Sequence, residues 1–495
     1  MQVQLLIKNK PVFVVFLPLF FVLHGFTEHY NFISVSGAFL LLTLYMAGML
    51  IITSVNWLFY RNLIKASVIS FCLMAIFFFF GSMQDLLRKH FGGSFFSRYG
   101  FILPLFLLLL TLLINWMKKT KSSLLKLTLY LNILLPVLCG IDVLWLGERI
   151  LAQGRKSGIN FSDTNLFVCR SCNRPDIFFI ILDEYSGNTA LKQLFHFDNS
   201  AFERQLEQRG FYVVKQSRSN YNYTPFSVAS ILNMKYLDLN MATKAPGNID
   251  YCYQQIRNSG VIKFLIANGY TFSNYSIFDF EDRPAINYDS FLPNNTSLIT
   301  SQTFLSRVLK DISYNISTGR WKLKWGLEKR AYEHLSNNEN VIRAVKESSS
   351  EKTNNPKFVY AHLMMPHYPY YFDSQNRPLP IQKLLPGQET DRENYIEYMQ
   401  YCSYRILGLV DTIISHSDSP PVILLLGDHG FREGIEKEER KYVFMNLNAI
   451  YLPGKNYSLF YDSISNVNQF RVFLNTEFKQ QLPLLKDSTI FLWGD

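Results

Sequence analysis

Five long runs nearly empty of charge constrain this chain more than any other feature. Residues 11–27, 31–60, 66–84 and 101–117 contain no Asp, Glu, Lys or Arg, and residues 127–147 contain only Asp142. A helix crossing a bilayer needs about 20 mostly apolar residues, with a range of roughly 17–25. One such run could be a buried core helix. Five in succession, joined by short polar loops, predict a polytopic membrane region of five helices. The first run resembles the apolar part of a signal peptide, but it lacks a clear small-residue cleavage site and further runs follow at once, so it reads as retained.

The loops predict an orientation. Lys8, Lys10, Arg61, Lys65, Lys118, Lys119, Lys121 and Lys126 lie on one side, against Arg88, Lys89 and Arg98 on the other. The positive-inside rule puts the richer side and the N-terminus in the cytoplasm, and five crossings leave everything after residue 148 outside. Residues 1–127 hold eleven Lys/Arg against two Asp/Glu, so +9 of the formal charge of +10 belongs to the membrane region and about +1 to the rest. The basic excess therefore orients helices and is no nucleic-acid signature. No nucleic-acid-binding module is present.

Three segments follow: a transmembrane domain over 1–148, a polar linker over 149–174, and a globular domain over 175–495. Six cysteines are too few for a disulfide scaffold. The "CRSC" of Cys169 and Cys172 is compatible with redox chemistry or half a zinc site. With no second CxxC, and outside the cytoplasm where disulfides persist, a local disulfide is the favoured reading.

From Pro175 onward the pattern is α/β. "IFFIILD" (177–183), "FVYAHL" (358–363) and "VILLLGD" (422–428) are continuous apolar runs, as expected of strands buried on both faces of a mainly parallel central sheet. Helical patterns cover 200–209, 225–236, 253–268, 327–347 and 393–415. In open α/β sheets ligands bind beyond the carboxyl ends of the strands, and chemistry-bearing residues gather there. Asp183 and Glu184 close the first run. His362 and His367 sit at the end of the second and just after it. Asp428 and His429 follow the third, between Gly427 and Gly430. Each group has an ordinary alternative, as solvated loop acids or structural histidines. Carboxylate and imidazole together suit zinc, manganese or a similar divalent ion. In "NYNYTPFSVASILN" (220–233), Thr224 is read as a helix cap with Pro225 at the first helical position. A hydroxyl at a helix start sits where positive dipole and free N–H groups favour anions, but it is a weak nucleophile unless a metal or base activates it.

Taken in order, these motifs resemble the alkaline-phosphatase superfamily on its sulfatase-like branch. The resemblance covers about 175–455. It rests on "PDIFFIILDE", on the helix start at Thr224 about forty residues later, on "PHYP" with His367, and on "GDHG". With five spans and an external domain, the plan is similar to membrane-bound lipoteichoic acid synthases and phosphoethanolamine transferases, which use a threonine nucleophile. The resemblance implies a metal held by Asp183, Thr224, Asp428 and His429, with Glu184 as an alternative or bridging carboxylate. It implies Thr224 as nucleophile, with His367 in catalysis. His362 is read as a substrate contact or, with His367, a proton donor or second-metal ligand, and Arg432 and Lys441 as anion contacts or solvated charges. The implied ion is zinc or manganese, with magnesium or calcium as further candidates. The implied activity is transfer of a phospho-headgroup from a membrane lipid to a lipid or glycan through phosphothreonine. The alternatives are a phosphodiesterase or phosphonate hydrolase, and a noncatalytic lipid-sensing regulator. Thr224 stands where sulfatases have Cys or Ser, and Val228 where they have arginine. Threonine cannot yield formylglycine, which argues against sulfatase chemistry.

Overall fold

The computed structural model describes residues 10–30, 33, 35–91, 95–154, 166–239, 241–280, 283, 285, 296–309, 332–385 and 387–493. The chain divides into two compact units, one of residues 1–158 with 289–315, the other of 159–288 with 316–495.

In the first unit the apolar runs form α1 (Phe13–Glu28), α2 (Val35–Tyr60), α3 (Leu63–Phe91), α4 (Tyr99–Lys119) and α5 (Leu125–Gly154). Four of these, α2 to α5, are long and apolar enough to cross a membrane among the described residues. The fifth expected span, α1, is equally apolar but has 16 residues, just short of the usual crossing length. Aromatic pairs tie α1 to α3, with Phe21 stacked on Phe78 at 4.3 Å and Phe13 edge-on to Phe71. Large apolar side chains elsewhere face outward, Phe39 at 71% exposure and Leu107 at 67% among them. Residues 296–309 also belong here, although the sequence placed them in the globular domain. Ile299 joins the apolar core of this unit, the Gly81 amide donates to the Gln302 carbonyl at 2.8 Å, and Arg307 pairs with the Asp85 carboxylate. Helix α5 continues to Gly154, beyond the expected boundary at 148, and the linker residues 155–165 lie outside the described residues.

The second unit is built on a mixed sheet. Its described strands are β1 (Ile177–Leu182), β2 (Tyr212–Val213), β3 (Thr271–Tyr275), β4 (Lys357–Leu363), β5 (Val422–Gly427) and β6 (Asn448–Tyr451), in the order β2-β6-β5-β1-β4-β3. The four strands β3, β4, β1 and β5 run parallel, with Ile177 beside Phe358 on one side and Val422 on the other. Strands β6 and β2 add an antiparallel margin.

The three apolar runs are the three central strands, buried at every position. Alternation then makes two cores from one strand. Phe179 and Ile181 pack on one face with Val228 and Ile231 of α8 (Thr224–Asn233). Phe178 and Ile180 pack on the other with residues of α6 (Asn188–Phe195) and α7 (Ser200–Gln208). The pattern over 253–268 breaks into α9 (Pro246–Arg257) and α10 (Gly260–Ala267), because Ser259 accepts from the Ile262 amide and starts a new helix. Helices α11 (Glu333–Ser350), α12 (Arg392–His416) and α13 (Asn466–Glu477) complete the unit. The start of the pattern at 327–331 falls outside the described residues. Cys169 and Cys172 are disulfide-bonded, and Cys169 lies in the core beside Leu166.

Candidate active site

The carboxyl ends of β1, β4 and β5 meet at one place. The chain leaves β1 after Leu182, and Glu184 adopts a left-handed backbone with φ +66°. A continuing strand would point Asp183 and Glu184 to opposite faces. The left-handed turn instead lets the Glu184 amide donate to Asp428 Oδ1 at 3.0 Å, tying the end of β1 to the end of β5. The glycines around Asp428 allow this close approach. A Cβ on Gly427 would stand 2.6 Å from the Tyr185 carbonyl, and one on Gly430 2.7 Å from that of Met445.

Asp183, His362 and Asp428 each offer a ligand atom, all within 4.8 Å of one another and all buried. His362 Nε2 lies 3.5 Å from Asp183 Oδ2. Four buried atoms here have no hydrogen-bond partner: Asp183 Oδ1, Glu184 Oε2, His362 Nε2 and Asp428 Oδ2. Each such atom costs about 1–3 kcal/mol when left unpaired. A divalent cation would satisfy the two Asp oxygens and the imidazole nitrogen at once, and their donor set of two carboxylates and an imidazole suits zinc or manganese. The residues therefore fit a metal.

Thr224 opens α8, one position later than a cap. Tyr223 is the N-cap, and no side chain caps the helix. The Thr224 hydroxyl instead faces His429 Nε2 at 3.3 Å. His429 Nδ1 lies 2.8 Å from the Gly430 carbonyl and donates its proton there, so Nε2 is the ring nitrogen that faces Thr224 and, at 3.4 Å, Asp428 Oδ2. Ser227, one turn into α8, donates to the Asp428 carbonyl at 2.6 Å and locks the helix start to the end of β5.

Burial, the largest influence on Asp183, pushes its carboxyl up, but His367, His362 and His429 together hold it well below the usual carboxylate range. Burial raises Glu184 above its ordinary value, against the opposing pull of His367, Arg432 and His429. For His367 burial works downward, yet Asp183 and Glu184 outweigh it and raise the imidazole. The His367 amide donates to the Asp183 carbonyl at 3.2 Å, and its Nδ1 lies 2.6 Å from the Tyr368 carbonyl.

The structure thus gathers Asp183, Glu184, Thr224, His362, His367, Asp428, His429 and Arg432 in one region. His362, read from sequence as a substrate contact, proton donor or second-metal ligand, lies in β4 inside the acid cluster. Glu184, read as a ligand, has Oε1 occupied by the Arg432 amide at 2.9 Å. Lys441 is exposed and lies over the Tyr442 ring at 4.9 Å. Sequence reasoning passed over Ser227, Tyr223 and Lys244. Ser227 falls at helical spacing from Thr224 and could have been found; Lys244 carries no local signal.

No family model matches the chain, and no curated protein matches it. Among solved structures it is similar to the C-terminal periplasmic domain of EcEptC from Escherichia coli (TM-score 0.39, 11% identity, covering 63% of this chain and 85% of that one). It is similar over 98% of its length, and 97% of the other, to the integral membrane protein lipooligosaccharide phosphoethanolamine transferase A from Neisseria meningitidis (TM-score 0.36, 10% identity). A 2-O GAG sulfatase matches with TM-score 0.35 and 11% identity, over 65% of this chain and 73% of that one. Phosphoethanolamine transferases and sulfatases are the enzyme classes that the sequence motifs resemble. Scores at this level assign no activity, and the assignment rests on the residues of this chain.

Proposed function

We propose that this chain is a metal-dependent, membrane-anchored phosphotransferase that moves a phospho-headgroup from a lipid donor to a lipid or glycan acceptor through a phosphothreonine on Thr224. The observation that carries the reading is the Thr224 hydroxyl, at the start of α8, facing His429 Nε2 at 3.3 Å beside the Asp183–His362–Asp428 cluster. A divalent ion held by Asp183, His362 and Asp428 would supply Lewis-acid stabilisation of phosphoryl charge. Glu184, Thr224 and His429 border that position.

In the first half-reaction the Thr224 Oγ–P bond forms as the P–O bond to the glycerol oxygen of the lipid breaks. The Thr224 proton leaves to His429 Nε2, 3.3 Å away. His367, raised by the neighbouring acids, gives a proton to the departing oxygen. In the second half-reaction the acceptor hydroxyl returns that proton to His367 and attacks phosphorus. The Oγ–P bond then breaks, and Thr224 regains its proton. The positive N-terminus of α8 favours the anionic phosphoryl group throughout. The loop charges favour a cytoplasmic N-terminus, and with α1 counted as a fifth crossing the catalytic unit lies outside the cytoplasm.

The test is mass spectrometry of the purified full-length protein incubated with membrane lipids. A headgroup-phosphate mass on Thr224 is expected, and Thr224→Ala lowers turnover by roughly 10⁴-fold or more while leaving the thermal melt unchanged. Undiminished headgroup transfer by that variant sinks the proposal.

A further inference from the structure

Beside the candidate nucleophile, two cations share one aromatic ring. The Lys244 ammonium lies 4.9 Å from the Tyr223 ring centre and the Arg432 guanidinium 5.0 Å from it, both within cation–π range. Tyr223 immediately precedes Thr224 and forms the N-cap of α8. Arg432 Nη1 is buried without a hydrogen-bond partner. Its Nε pairs with Glu433 Oε1 at 3.2 Å, and its other nearby acids, Glu184, Asp183 and Asp428, belong to the metal-fitting region. Lys244 has no ion-pair or hydrogen-bond partner for its ammonium among the described residues. Burial first, and then the charge of Arg432, push that ammonium below its ordinary value, against the opposing pull of Glu433. Two partly buried cations on one ring repel each other, and Glu433, the one acid acting on both, offsets only part of that charge.

The positions of both cations are built in. The Lys244 amide donates to the Trp493 carbonyl at 3.2 Å, and the Trp493 amide donates to the Ala242 carbonyl at 3.0 Å, so the C-terminal segment holds the Lys244 loop. The same segment reaches the residues just before Thr224. Ile490 donates to the Asn220 carbonyl at 2.8 Å, and Leu492 donates to Asn222 Oδ1 at 2.8 Å. Arg432 is fixed through its backbone by Glu184. These ties fix the backbone positions from which both side chains reach the Tyr223 ring.

We propose that Lys244 and Arg432, set against Tyr223, form a clamp for a phosphate group of the substrate, with Lys244 as a specificity-determining residue. The proposal rests on the phosphotransferase reading above. The phosphate belongs either to the lipid donor or to a phosphate-bearing acceptor. An ammonium and a guanidinium supply several charge-assisted donors to its oxygens, and the ring keeps both heads oriented.

The experiment uses full-length protein in detergent and two probes, inorganic phosphate by calorimetry and phosphatidylcholine vesicles carrying phosphatidylethanolamine and phosphatidylglycerol. Lys244→Met is expected to weaken phosphate binding by about tenfold, the loss of one charge-assisted contact. Lys244→Arg restores it to within about threefold because the charge returns. If the initial rate of Thr224 modification by subsaturating vesicles also falls in Lys244→Met, the clamp holds the donor phosphate. If only phosphate binding weakens, it holds the acceptor phosphate. Unchanged phosphate affinity in Lys244→Met, in protein with a wild-type melt whose Thr224 is still modified, overturns the clamp and leaves the function standing. Lys244-dependent phosphate binding with no lipid-derived mass on wild-type Thr224 overturns the function and leaves the clamp.

Discussion

The two units use the same kind of sequence for opposite ends. Leu425 in β5 and Leu107 in α4 both sit in continuous apolar runs; one is fully buried and the other is 67% exposed. Length separates them, because a strand of 6 residues is short enough to be enclosed by a protein core, whereas a helix of 21 residues matches the thickness of a bilayer. Their buried polar atoms differ as well. In the helical unit Ser67, Gln84, Thr128 and Asp142 each have an unpartnered buried atom, distributed over α3 and α5. The sheet unit has scattered ones too, such as Asn448 Oδ1 and Gln469 Nε2, but those of Asp183, Glu184, His362 and Asp428 converge at adjoining strand ends. Burial of a polar atom alone does not mark a site; convergence does.

The largest effect expected from this contrast is at Asp428. Asp428→Asn keeps an acceptor for the Glu184 and His429 amides but removes the charge, so elemental analysis should find the bound metal lost and turnover should fall by roughly 10³-fold or more. Full metal occupancy in that variant would remove Asp428 from the ligand set.

Next come the two leucines. Leu425→Ala should cost about 2–5 kcal/mol of stability, read by denaturant unfolding of the sheet unit. Leu107→Arg should cost about 2.5–3.5 kcal/mol of membrane insertion, read by fractionation and flotation of expressed protein. If Leu107→Arg inserts as well as wild type, α4 does not face lipid and the contrast fails. The smallest effect is at Thr128, whose buried hydroxyl has no partner. Thr128→Val should change the melt by no more than about 1 kcal/mol in either direction, because it exchanges an unsatisfied polar atom for a methyl. A loss well above that would give the hydroxyl a role in helix packing.

Much of the second unit was legible in advance. The three central strands matched their apolar runs within a residue, since continuous burial leaves a continuous apolar record. Strands β2, β3 and β6 left no such record, being short, marginal or mixed in polarity, and the antiparallel margin went unread with them. The helical segment at 296–309 was assigned to the wrong unit because its few apolar contacts, such as Ile299, carry no period of their own. In the candidate site, Asp183, Asp428 and His429 stood out as strand-end residues. His362 looked like a strand residue with an uncertain role until β4 brought it beside Asp183.

By itself the sequence determined where the bilayer-length helices run, which segments become buried strands, and which reactive residues lie at strand ends. Those properties depend on local composition and period. Tertiary structure alone decided that Thr224 starts its helix without capping it, that His362 joins the acids, and that Lys244 and Arg432 share the Tyr223 ring. The physical reason is range: each of these depends on residues far apart in the chain, fixed by strand register, a left-handed turn at Glu184 and a C-terminal segment folded back on the loops around Thr224.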